Sequence, residues 1–164
     1  MIIAIHVDDI FIICNSKQLY CEKRDKLARS FKMTFTENPK EFLGMRITTN
    51  EEERTVCLDQ QAYALRTLER YDMQECRPVS TAALPDRSNN DFPEAQEPTD
   101  TTLYQQIVGS LMYLAYITRP DIAIAVHRLC LKMNAPTKQD LVKAKRVLRY
   151  LSDTHSYGLK YKYE

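Results

Sequence analysis

Apolar and polar positions alternate along this chain in two different rhythms, and the rhythm identifies each element. The opening "MIIAIHVDDIFIIC" is a β-branched and aromatic run broken at its centre by two carboxylates, Asp8 and Asp9. Such residues favour extended structure. The run predicts a strand, a tight turn with Asp8 and Asp9 at its tip, and a second strand. Leu19, Lys23, Leu27 and Phe31 then recur on one helical face, and Asn15 with Gln18 supplies an N-cap signal. An amphipathic helix packed beside the hairpin is expected. "KEFLGMRITT" and "RTVCLD" flank the polar "NEEE" and predict a second hairpin. "QQAYALRTLERYDM" returns to the helical period through Leu65, Leu68 and Tyr71 or Asp72.

Between Arg77 and Asp100 the texture changes. Pro78, Pro85, Pro93 and Pro98 stand among small polar residues, which predicts a long irregular connection. Beyond it, three capping signals precede apolar runs at helical spacing: Thr102 with Gln105, Thr118 with Asp121, and Thr137 with Asp140. Pro120 suits a first helical turn. The last of these helices carries Leu141, Ala144, Leu148 and Leu151 on one face, and "YGLKYKY" then alternates like a half-buried strand. The expected fold class is α+β. The expected organisation is residues 1–76 as one part, 77–100 as a linker and 101–164 as a helical region ending in a strand.

Composition narrows the function. The chain has 164 residues, enough for one domain or one compact unit with a lobe, and its net charge is +1. No global field therefore draws it to nucleic acid or anionic lipid, and any such contact needs a local patch. Five scattered cysteines form no C-x-x-C pair, so neither a zinc site nor a disulfide framework is expected. The apolar start lacks a preceding basic residue and is interrupted by His6, Asp8 and Asp9. It fails as a signal peptide and is too short to span a membrane. An intracellular chain, cytoplasmic or nuclear, with no membrane partner is the expectation.

Two adjacent carboxylates repel each other, and burying them unpaired costs several kcal/mol. A divalent cation removes that cost, and Mg²⁺ takes carboxylate oxygens together with substrate phosphates. The alternative is a solvated turn, in which Asp is common. His6 lies two residues before Asp8, so in a continuous strand both point to one face. One imidazole and one carboxylate are too few ligands for a zinc centre. On the third helix after the linker, Lys138, Lys145 and Arg149 form a stripe away from the apolar face. It suits a phosphate backbone or is a solvated basic face.

In order and spacing, these segments resemble the reverse transcriptase of copia-type LTR retrotransposons. "HVDDIFIICNS" is similar to that family's Y-V-D-D hairpin, and "EFLGMRI" to the F-L-G hairpin after its palm helix. "YQQIVGSLMYLAYITRPDIAIAV" is similar to its Y-x-x-x-V-G-S-L-x-Y-L-A-x-x-T-R-P-D-I segment, and "AKRVLRYLSDTHSYGLKY" resembles the stretch leading out of the polymerase toward ribonuclease H. The resemblance implies a partial palm, a thumb-like hairpin and helix, and a connection region. It implies that Asp8 and Asp9 are catalytic carboxylates binding Mg²⁺, and that Phe42, Leu43 and Gly44 support the primer end. It also implies that Lys138, Lys145 and Arg149 line the path of an RNA or DNA template–primer. Arg119 and Asp121 would fix architecture.

His6 stands where the family has Tyr. The fingers and a third metal-binding aspartate belong upstream of the hairpin in that family. The expectation is a polymerase fragment, inactive alone, which could meet its missing half in trans. A non-catalytic nucleic-acid-binding or partner-binding remnant is the alternative.

Overall fold

A computed structural model describes residues 1–83 and 97–163. The middle of the expected linker, with Pro85 and Pro93, lies outside the described residues. Among the described residues the chain is mixed α and β, with small antiparallel sheets and five α-helices. It divides into two compact units, Met1–Phe42 and Leu43–Glu164.

The first unit holds strands β1 (Ile2–His6) and β2 (Asp9–Ile13), helix α1 (Lys17–Ser30) and the short strand β3 (Glu41–Phe42). β1 and β2 pair antiparallel with Ile3 opposite Ile12 and Ile5 opposite Ile10. Ser16 caps α1, its hydroxyl accepting from the Leu19 amide at 3.3 Å, one residue later than the expected Asn15. The expected packing face of α1 buries nothing fully, and Phe31 is exposed.

The second unit contains the core. Strands β4 (Met45–Asn50), β5 (Thr55–Asp59) and β6 (Gly158–Lys162) run antiparallel with β5 in the middle. Helix α2 (Gln61–Arg70) follows β5 directly. Helices α3 (Thr101–Ile117), α4 (Ala123–Cys130) and α5 (Lys138–Thr154) follow the proline-rich stretch. Ala64 and Leu68 of α2 share one hydrophobic cluster with Ile107 and Leu111 of α3, Val126 of α4 and Leu148 of α5. This explains why the compact units divide at residue 42 rather than near 77. A ten-residue amphipathic helix is marginal by itself and stabilises by burying its apolar face. Leu65, expected on that face, is instead exposed.

Two of the three expected caps move. Asp100 caps α3, accepting from the Leu103 amide at 3.1 Å, in place of Thr102. Thr118 ends α3 rather than starting α4, and its hydroxyl donates to Gln60 Oε1 at 2.8 Å in the interior. The third is as expected: Thr137 and Asp140 form a complete capping box on α5. Gly158 has a steric reason. A Cβ there would lie 2.3 Å from the Leu58 carbonyl oxygen, because β6 lies against β5 at Asp59.

Arg119, only 2% exposed, joins the helices. Its Nε and Nη2 grip the two Asp121 oxygens at 2.9 and 2.7 Å, while Nη1 and Nη2 donate to the Thr154 carbonyl and hydroxyl at 2.8 and 2.7 Å. The Tyr150 hydroxyl donates to Asp121 Oδ2 at 3.0 Å. Burial pulls the Asp121 pKa up, but the Arg119 fork, its charge and the Tyr150 hydroxyl outweigh it and leave the value below the usual carboxylate range. Asp140 is depressed in the same sense: burial opposes, while bonds from Thr137 and the Lys143 charge prevail.

A depressed native pKa contributes stability that is fully present above the unfolded value of about 3.9 and is lost as pH falls through the native value. Chemical denaturation should therefore show constant stability between pH 7 and about 5, then a decline on acidification. Asp121→Asn should be less stable at pH 7 and decline less steeply with acid. Arg119→Met should cost about 2–4 kcal/mol, because it leaves a partly buried carboxylate and a buried carbonyl unmatched. An unchanged acid slope in Asp121→Asn would contradict this account.

Candidate functional site

The carboxylate pair sits where β1 turns into β2, displaced by one residue from the expected tip. His6 pairs directly with Asp9, so Val7 and Asp8 form the two-residue loop. Val7 has φ of 49° while Asp8 is not in the left-handed region, the sign pattern of a II′ hairpin turn, which normally has Gly first. The turn breaks the alternation expected to set His6 and Asp8 on one face. His6 instead shares its face with Asp9, its direct cross-strand neighbour.

His6, Asp8 and Asp9 are all exposed. Two hard carboxylates are the donor type that Mg²⁺ takes. Yet no group of three His, Cys, Asp or Glu suited to a metal ion exists among the described residues. Asp8 and Asp9 are two donors of that kind, and no metal-dependent step is built on them alone.

Phe42 ends β3 and packs its ring on Phe11 of β2 at 4.9 Å between centroids. Leu43 and Gly44 come next as a turn with φ of 49° and 73°. Two successive left-handed residues are the sign pattern of a I′ turn, which readily takes Gly at its second position and strains Leu at its first. The Tyr113 hydroxyl of α3 donates to the Leu43 carbonyl at 3.1 Å. The Tyr113 ring meets Tyr63 of α2 edge to face, centroids 4.8 Å apart. Sequence reasoning passed over Tyr113, although it lies inside the quoted "GSLMYL".

The basic stripe of α5 is largely engaged within the chain. Lys138 pairs with Glu97, and its backbone N–H donates to the Glu97 carbonyl at 2.8 Å. Arg149 Nε donates to the Arg77 carbonyl at 2.7 Å, and the neighbouring Arg146 donates to the Thr81 hydroxyl at 2.8 Å. Among the described residues only Lys145 of the three stripe members has no such partner. The helix thus holds both described ends of the proline-rich stretch. The remaining field is still positive, since Asp140 is the single acidic residue between positions 122 and 152.

The family model described as reverse transcriptase (RNA-dependent DNA polymerase) matches residues 1–85, the stretch that carries the carboxylate hairpin and the Leu43–Gly44 turn. The chain belongs to this family. It is 38% identical over 155 residues to the retrovirus-related Pol polyprotein from transposon RE1 of Arabidopsis thaliana, a match covering 94% of the chain and 10% of that polyprotein. It is 35% identical over 159 residues to the corresponding polyprotein from transposon TNT 1-94 of Nicotiana tabacum, covering 94% and 12%. An uncharacterized mitochondrial protein of Arabidopsis thaliana is 36% identical over 159 residues, covering 97% of the chain and 64% of that protein. The chain thus carries a reverse transcriptase domain of the copia type and spans about a tenth of the length of the Pol polyproteins it matches. No solved structure matches it. No helix of the described residues is long and apolar enough to cross a membrane.

The stripe residues should separate by stability. Arg149→Gln removes a bond to a backbone carbonyl and should cost about 1 kcal/mol. Lys145→Gln should fall within about 0.5 kcal/mol of the parent, as an exposed side chain without a partner does. Lys138→Gln should also cost little, since its ion pair is exposed. Thermal unfolding measures all three, and an Arg149→Gln variant as stable as the parent would show that its contact with Arg77 contributes nothing.

Proposed function

We propose that this chain is the C-terminal part of a copia-type polymerase region and that it contributes to nucleotide addition without performing it alone. In this reading β1, β2 and α1 are part of a palm. Asp8 and Asp9 are the share of the Mg²⁺-binding carboxylates that this chain supplies, and Phe42, Leu43 and Gly44 support the primer end. The observation that carries it is the carboxylate pair itself. Asp8 and Asp9 stand side by side at a strained hairpin turn, exposed, and their carboxylates have no hydrogen-bond or ion-pair partner among the described residues. Nucleic acid, as a template–primer, is the proposed partner of the parent enzyme. An upstream polymerase segment carrying a further metal-binding aspartate is the proposed partner of this chain.

The exposed hairpin supports the same reading. Ile5 is 71% and Val7 84% exposed, and β1 has an unpaired edge. Such a surface suits burial against further polymerase strands. It also keeps open a second reading, a non-catalytic remnant that binds a partner through this edge. Lys145 and the acid-poor stretch around it favour weak nucleic-acid contact, with Lys138 and Arg149 contributing only if their present bonds open.

The test is primer extension with Mg²⁺ or Mn²⁺. The purified chain should give none. Mixing it with the separately produced upstream polymerase segment of the RE1 relative should give extension, and Asp8→Asn or Asp9→Asn should abolish it by at least about a hundredfold, the scale expected when a group stabilising transition-state charge is lost. Extension by the chain alone, abolished by Asp8→Asn, would show a complete site and sink the fragment reading. Extension in the mixture that survives both substitutions would remove the carboxylates from the chemistry.

A further inference from the structure

We infer that Tyr113 is a positioning residue, whose hydroxyl holds the Leu43–Gly44 turn in the conformation that presents it to a primer end. The role of the turn rests on the proposed polymerase reading, whereas the latch itself rests on geometry. Leu43 is held at φ of 49°, a region that disfavours residues with a Cβ and costs of order 1–3 kcal/mol. Strain of this kind persists only where surrounding structure over-determines it. The Tyr113 hydroxyl, donating to the carbonyl of the strained residue at 3.1 Å, supplies that constraint.

The same hydroxyl restricts the residue type at position 44. A Cβ added at Gly44 would lie 3.0 Å from Tyr113 Oη, closer than most real Cβ contacts. Glycine is thus required twice, by its φ of 73° and by the approach of the tyrosine. Tyr113 is itself braced. Its ring packs edge to face on Tyr63, so the turn is tied to both α2 and α3 of the core. A motif in the first half of the sequence, "FLG", and one in the second half, "GSLMYL", therefore meet at a single hydrogen bond across 70 positions. The turn is not a free loop.

Tyr113→Phe is the discriminating variant, because it keeps the ring on Tyr63 and removes only the donor. Amide hydrogen exchange followed by NMR should accelerate about threefold to tenfold at Met45, the residue that closes the turn, which is the fold-change equivalent of one ordinary hydrogen bond. Amides of Leu111 and Leu148 in the core should keep their rates. Gly44→Ala should lower stability less in the Tyr113→Phe background than in the parent, because the close approach is relieved. Unchanged exchange at Met45, an equal acceleration at Leu111 and Leu148, or strict additivity with Gly44→Ala would each overturn the latch.

A second measurement addresses the role it rests on. A primer–template duplex carrying a photo-crosslinker at the primer 3′ end should label residues 42–44 of the parent chain, several-fold less in Tyr113→Phe at equal duplex occupancy. Absence of labelling in the parent overturns the primer-end role of the turn, and equal labelling in both overturns the positioning role of Tyr113.

Discussion

A guanidinium removed from water must find hydrogen bonds for its donors, and in this protein the helical unit is built around that demand. Arg119 leaves the end of α3 with its own N–H bonded back to Leu114. Its side chain then reaches Asp121, at the turn into α4, and Thr154, at the end of α5. Tyr150 and Tyr157 lie within 6 Å of its carbon centre, so the cation also has ring faces beside it. A planar fork with five donors fits this geometry and an ammonium would not. The consequence extends beyond the helices. Fixing Thr154 fixes the Tyr157 turn, whose N–H bonds the Thr154 carbonyl, and that turn aims Gly158 and β6 at β5.

Much of this was legible in the sequence, and the exceptions share a cause. The helices, the three strands of the second unit and the capping box at Thr137 come from apolar period and local polar signals. The displaced caps arise where two signals compete within a few residues. Asp100 wins over Thr102 because an aspartate lies one position before the helix. Thr118 is recruited by Gln60, a partner 58 positions away that no local rule could supply. The α5 stripe illustrates the same limit. Helical geometry correctly turned Lys138 and Arg149 away from the apolar face, yet which backbone would approach that side depended on chain beginning at Arg77 and returning at Glu97.

The candidate site was legible as chemistry and less so as geometry. Adjacent carboxylates in an apolar run are visible at once, but a turn containing neither Gly nor Asn gives no register. The turn lies one residue earlier than expected, so each β1 residue pairs two positions earlier on β2, which changes its partner but not its face. His6 and Asp9 become direct cross-strand neighbours for that reason. The F-L-G motif was likewise visible, while the hydroxyl that restrains it came from a helix whose tyrosine looked like one more among ten tyrosines.

Stability and candidate chemistry are divided between the two units. All the buried hydrophobic side chains among the described residues lie in the second, from Ala64 onward, whereas the first has no fully buried side chain among its described residues. Two paired strands and one helix cannot enclose a core, and an isolated two-stranded hairpin is marginal in water. Val7 compounds this, because a β-branched residue at positive φ adds strain at the turn beside Asp8. Nothing within the first unit offsets that strain by burial, since Val7 is itself exposed. The carboxylates therefore stand on the least self-sufficient part of the molecule. Under the proposed polymerase reading, exposed apolar strand surface beside a strained turn is the kind of surface that further palm strands would bury, and the carboxylates at its end would be held by that packing rather than by contacts within the hairpin.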